Sequence, residues 1–152
     1  KTGALYACAM RLGAVVASAD NACSNTLEAC GMNLGLAIQI NDDIKALWGN
    51  GESDFHPNTE VLNKKKLLPV AYGLDVGDLT VKRKLGEIFF KRVLEKEDSL
   101  MLRDILDGVG AKVYCENLVE EQIAKANQAI KPLHSKYESI TLVSNFVSGM
   151  LS

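Results

Sequence analysis

Apolar residues recur at helical spacing along nearly the whole chain, and no stretch sustains the alternation of a strand. From Lys1 to Ser18 the pattern predicts a helix lined on one side by Leu5, Cys8, Leu12, Val15 and Val16, with small Gly and Ala residues permitting close packing. A lysine at a helix N-terminus opposes the macrodipole, which predicts an anionic partner there or a helix that begins further upstream. Ala19 to Ser24 reads as a break. Asn25 is placed to cap a second helix, with Glu28 three residues on completing a capping box. This helix runs to Trp48. Gly31 and Gly35 offer a groove for a neighbour, and Gly49 is expected to end the helix in the left-handed conformation. Gly49 to Lys66 is a long polar loop of the kind that often carries function. Pro69 fits the first turn of a short helix ending near Gly73 to Gly77. Asp78 or Thr80 caps a segment to Leu94, with Leu85, Ile88, Phe89 and Val93 as its stripe. Asp98 caps a helix through Leu106, closed by Gly108. Ala111 to Ile130 is amphipathic, with Val113, Leu118, Val119, Ile123, Ala126 and Ile130 inward. Pro132 separates it from a last helix over 135–150. The expected fold class is all-α.

The totals narrow the function. At 152 residues the chain suits one domain or a large part of one. A net charge of −2 excludes a nucleic-acid polyelectrolyte as the expected partner. No apolar run is long enough for a transmembrane segment, and there is no signal-peptide pattern. Cys8, Cys23, Cys30 and Cys115 form no C-x-x-C pair and sit in helical patterns like small core residues, so a reduced, cytoplasmic setting is expected. His56 and His134 lack ligand spacing, and no phosphate-cradling G-x-x-x-x-G-K is present.

The stretch from Leu36 to Trp48 carries the chemistry. Leu36, Ile40, Ile44 and Leu47 mark one helix face. Gln39 precedes Asp42 and Asp43 by three and four residues, so all three can project from one side. Two carboxylates beside an apolar face repel each other and are costly to desolvate without a cation. A divalent metal bound to an anionic ligand would satisfy them; a solvated acidic patch is the plainer alternative. Lys64-Lys65-Lys66, before Leu67-Leu68-Pro69, is either a solvated turn or a means of delivering positive charge to a phosphate. Trp48 reads as a packing residue.

Taken together, Lys1-Thr2-Gly3, then Gly35 to Asp43, then Lys65-Lys66-Leu67-Leu68-Pro69-Val70 resemble the C-terminal half of the trans-isoprenyl diphosphate synthases, or polyprenyl synthetases. The likeness covers nearly the whole chain. Order and spacing agree: a K-T dipeptide, a Q-x-x-D-D motif on a later helix, a long loop, then K-x-x-L-P-V. Gly110-Ala111, opening a long helix, also resembles the family's late helices. The resemblance implies an isoprenoid-synthase-type helical bundle around a deep cavity, normally a homodimer. Two aspartate-rich motifs there hold Mg²⁺ on an allylic diphosphate. Pyrophosphate departs to leave an allylic cation, and the double bond of isopentenyl diphosphate attacks it before a proton is lost. By the same resemblance Asp42 and Asp43 are catalytic Mg²⁺ ligands of the second motif, and Lys1, Thr2, Gln39 and Lys65 contact the diphosphate.

The chain departs from the family pattern in definite places. Ala46 stands at the third acidic position of D-D-x-x-D. Glu60 matches an acid in the loop, and His56 stands where a lysine is usual. The D-D-I-x-x-x-W-G variant resembles a bacterial-type subset. No first aspartate-rich motif occurs, so residues 1–152 are expected to be the C-terminal portion of a single domain whose N-terminal half lies upstream or on a companion chain. Alone they are expected not to catalyse prenyl transfer. The alternatives are a non-catalytic regulatory subunit of a prenyl synthase, or a peptide-prenylating or terpene-cyclising relative.

Overall fold

The structure is a computed structural model, and it describes residues 1–49, 61 and 65–149. Its helices are α1 (Thr2–Val16), α2 (Asn21–Trp48), α3 (Leu68–Val76), α4 (Leu79–Phe90), α5 (Lys96–Gly108), α6 (Ala111–Ile130) and α7 (Ile140–Gly149), with a short 3₁₀ turn at Lys131–Leu133. The fold is all-α, with no strand among the described residues. The chain divides into two units: Lys1–Asn41 with the residues from Asn117 onward, and Asp42–Glu116. Most of the loop expected between Gly49 and Lys66, including His56, Glu60 and Lys64, lies outside the described residues.

In the first unit α1 packs on α2 through small residues. Gly3, Ala7 and Ala14 face inward. A methyl group on Gly31 would stand 2.5 Å from the Tyr6 carbonyl oxygen, and one on Gly35 2.7 Å from the Gly3 Cα. The paired glycines therefore form the expected groove. The side of α1 expected to be buried is instead the outer one: Leu5, Cys8, Leu12, Val15 and Val16 are exposed. The reason is steric. Backbones this close admit only small side chains between them, so the Gly/Ala face turns inward and the larger apolar residues turn out. The core of this unit gathers Cys30, Leu34, Ala126, Ile130, Ile140 and Val147, flanked by Tyr6, Met10, Leu27 and Ile38.

Helix starts differ from expectation where a better cap competes. α2 begins at Asn21, not Asn25, because Asp20 Oδ1 accepts from the Cys23 amide at 2.7 Å. Glu28 pairs with Arg11 of α1 instead of closing a capping box. α7 begins at Ile140, since the chain after Pro132 passes through the 3₁₀ turn and further turns first.

In the second unit Ala46, Leu47, Leu67, Val70, Leu85, Leu102 and Leu106 share a core. Pro69 sits in the first turn of α3 as expected, and Asp78 caps α4, its Oδ1 accepting from the Val81 amide at 2.8 Å. α4 stops at Phe90, short of Leu94, and Val93 is 72% exposed, outside the expected stripe. α5 starts at Lys96, with Asp98 as its third residue, not its cap; Asp98 Oδ2 accepts from the Glu95 amide at 3.1 Å. Lys91 Nζ donates to Asp98 Oδ1 at 2.5 Å, tying the end of α4 to the start of α5. Gly49 does not adopt the left-handed conformation; its amide donates to the Lys45 carbonyl at 2.9 Å. Gly110, at φ 72°, makes the left-handed turn from α5 into α6. α6 has the expected limits, but Val113 faces solvent while Val119, Ala126 and Ile130 are buried.

Candidate functional site

The close crossing of α1 and α2 brings Thr2 against Gln39. Thr2 Oγ1 donates to Gln39 Oε1 at 2.7 Å, joining residues 37 positions apart. Both side chains are half-buried. This hydrogen bond fixes the Gln39 side chain against the start of α1. Lys1 stands exposed before α1.

Asp42 and Asp43 follow on α2, and the structure separates them. Successive helical residues are rotated by about 100°, so neighbours cannot share one environment. Asp42 is exposed. Asp43 is 6% exposed, and its Oδ2 accepts from the Leu68 amide at 2.9 Å. Leu68 is the first residue of α3, and Leu67 before it offers no capping side chain. A charged acceptor on such an amide contributes about 1.5–3 kcal/mol, and the helix dipole favours a carboxylate there. The K-x-x-L-P-V segment is thereby joined to the aspartate pair. Lys65 is exposed, and its carbonyl accepts from the Leu67 amide at 3.0 Å. Burial pushes the Cys115 thiol up to about 11, with the charges of Asp43 and Glu116 adding to the rise. Sequence reasoning missed the Leu68 amide. The available signal was the helix start at Pro69 with no Ser, Thr, Asp or Asn before it.

Mg²⁺ suits this donor set in a particular way. It commonly takes one or two carboxylates, keeps several waters and completes its shell with phosphate oxygens. Among the described residues no group of three or more His, Cys, Asp or Glu side chains is placed to hold a metal. Of the two aspartates, the exposed Asp42 is the one whose carboxylate offers hard oxygen at the surface. Ala46 is 2% exposed in the core of its unit and offers no ligand. Trp48 is only partly packed, and its Nε1 donates to Asp107 Oδ1 at 2.9 Å, anchoring the end of α2.

A family model for polyprenyl synthetase matches residues 1–106. The geranylgeranyl diphosphate synthase of Mycobacterium tuberculosis is 41% identical over 76 residues, which is 49% of this chain and 22% of that protein. Among solved structures, the polyprenyl synthetase of Streptomyces coelicolor matches with a TM-score of 0.81 at 27% identity, over 97% of this chain and 46% of that one. The geranylgeranyl pyrophosphate synthase of Corynebacterium glutamicum, complexed with calcium and isoprenyl diphosphate, matches with a TM-score of 0.79 at 25% identity over the same shares, 97% and 46%. The chain thus spans less than half the length of these relatives.

Proposed function

We propose, because this chain belongs to the polyprenyl synthetase family, that it is the C-terminal portion of a single-domain, Mg²⁺-dependent prenyl diphosphate synthase. The reaction is head-to-tail condensation of an allylic diphosphate with isopentenyl diphosphate. The C–O bond of the allylic substrate breaks, the isopentenyl double bond forms the new C–C bond, and a proton leaves. Of the Asp42–Asp43 pair, the exposed Asp42 provides the carboxylate for Mg²⁺, which when bound would supply positive charge to the departing diphosphate. Lys1 and Lys65 add cations to the diphosphate oxygens. Gln39, oriented by Thr2, donates its amide N–H, and the Thr2 hydroxyl lies beside it. The observation that carries this reading is the 2.7 Å Thr2–Gln39 hydrogen bond, which unites two motif residues far apart in sequence.

The rest of the catalytic apparatus belongs to an N-terminal half or companion chain, and the complete enzyme works as a homodimer in the cytoplasm. The exposed apolar side of α1 supports the additional half, and the four free cysteines support the cytoplasmic setting. Among the described residues no helix is long and apolar enough to cross a membrane.

The test is to supply the complete protein with Mg²⁺, an allylic diphosphate and labelled isopentenyl diphosphate. An extended prenyl diphosphate is expected, and Asp42→Ala should lower turnover by about 100-fold or more. Absence of product, with no binding of Mg²⁺ and diphosphate by calorimetry, would overturn the reading in favour of a regulatory subunit.

A further inference from the structure

The two aspartates lie in different surroundings: Asp42 is exposed and Asp43 is buried. We infer that Asp43 is a positioning residue that anchors the start of α3, and with it Lys65, while Asp42 alone is the metal-facing carboxylate. The inference rests on the synthase reading above but is carried by separate observations.

Asp43 is turned into its unit and Asp42 out of it. The Asp43 carboxylate takes the Leu68 amide at 2.9 Å. The remaining donors at this helix start have other solutions: Pro69 has no N–H, and the Val70 and Ala71 amides both reach the Leu67 carbonyl at 3.1 Å. The first amide of α3 is therefore the one group that needs an acceptor from elsewhere, and Asp43 supplies it. Leu67, 1% exposed, is packed in the same core as Ala46 and Leu47. A buried Leu67 and a clamped Leu68 leave the backbone of Lys65 little freedom, since the Leu67 amide also holds the Lys65 carbonyl.

Asparagine distinguishes the two roles. Its amide oxygen can still accept from Leu68, but it is a poor replacement for a carboxylate on Mg²⁺. The experiment uses the complete protein and its Asp42→Asn, Asp43→Asn and Asp43→Ala variants. Hydrogen exchange at Leu68 is read without metal, and binding of inorganic pyrophosphate with Mg²⁺ is read by calorimetry. Asp43→Asn is expected to keep Leu68 protected and to bind within about threefold of the parent. Asp43→Ala should speed exchange at Leu68 at least about tenfold and weaken pyrophosphate binding. Asp42→Asn should leave Leu68 protected and lose at least about tenfold in binding. If Asp43→Asn loses binding as fully as Asp42→Asn while Leu68 stays protected, Asp43 is a metal ligand and the inference fails. Unchanged exchange in Asp43→Ala overturns the anchoring directly. A parent that binds no pyrophosphate with Mg²⁺ overturns the synthase reading instead, and the Leu68 comparison between Asp43→Ala and Asp43→Asn then decides the anchoring by itself.

Discussion

Gly35 and Gly13 lie on adjoining helices in opposite circumstances. A methyl group on Gly35 would meet the backbone of α1 at 2.7 Å, whereas one on Gly13 meets nothing within 4 Å. Gly35→Ala should therefore cost about 1–3 kcal/mol by overpacking, because backbone cannot swing aside as a side chain can. Gly13→Ala should gain up to about 1 kcal/mol of helix propensity. Denaturant melts of the pair check both signs; a neutral Gly35→Ala would refute the close crossing that brings Thr2 to Gln39. Asp98 gives the residue scale its pH dependence. The Lys91 ammonium and then the Glu95 amide hold its carboxyl below the ordinary 3.8. A depressed folded value means the stabilisation is present above 3.8 and is lost as pH falls through the folded value. Asp98→Asn should melt earlier than the parent at neutral pH, and the gap should narrow progressively as the pH falls below 3.8. A gap that stays constant on acidification would argue against the ion pair.

At the level of elements, periodicity carried the reading and caps moved its boundaries. The limits of α6, and Pro69 in the first turn of α3, follow from spacing and proline chemistry alone. The starts of α2 and α5 do not, because Asp20 and Glu95 compete with the equally plausible Asn25 and Asp98, and sequence does not rank neighbouring caps. Asp78 is the simple case. Asp78→Ala should destabilise the protein by about 1 kcal/mol through loss of the Val81 contact, measured by thermal or urea unfolding, with Asp78→Ser retaining most of the stability. The division of labour between Asp42 and Asp43 was illegible for another reason. The partner that draws Asp43 inward is a backbone amide, and backbone amides have no letter in a sequence.

At the scale of the whole molecule, α1 is apolar on two faces, its one charged residue being Arg11, and a helix apolar on both faces needs cover on both. Its small face is used against α2. Its large face is open, with Leu5 68%, Leu12 58%, Val15 57% and Val16 84% exposed. The sequence did reveal that this face is apolar; it did not reveal that the small residues would outcompete it for α2, because periodicity fits both faces equally. Burying a Leu or Val fully is worth about 1.5–3 kcal/mol, so four such side chains in one patch make a strong demand for a cover. The matched relatives are more than twice as long as the chain's share of them, and we propose that their additional half corresponds to what covers this face. The 152-residue chain alone should then self-associate and bind a hydrophobic dye. Leu12→Gln with Val16→Gln should reduce both effects. In the complete protein the same substitutions should lower the melting temperature by several degrees, since they would place amides in a buried contact. An unchanged melting temperature there, with dye binding by the short chain also unchanged, would overturn the proposal that this face of α1 is covered.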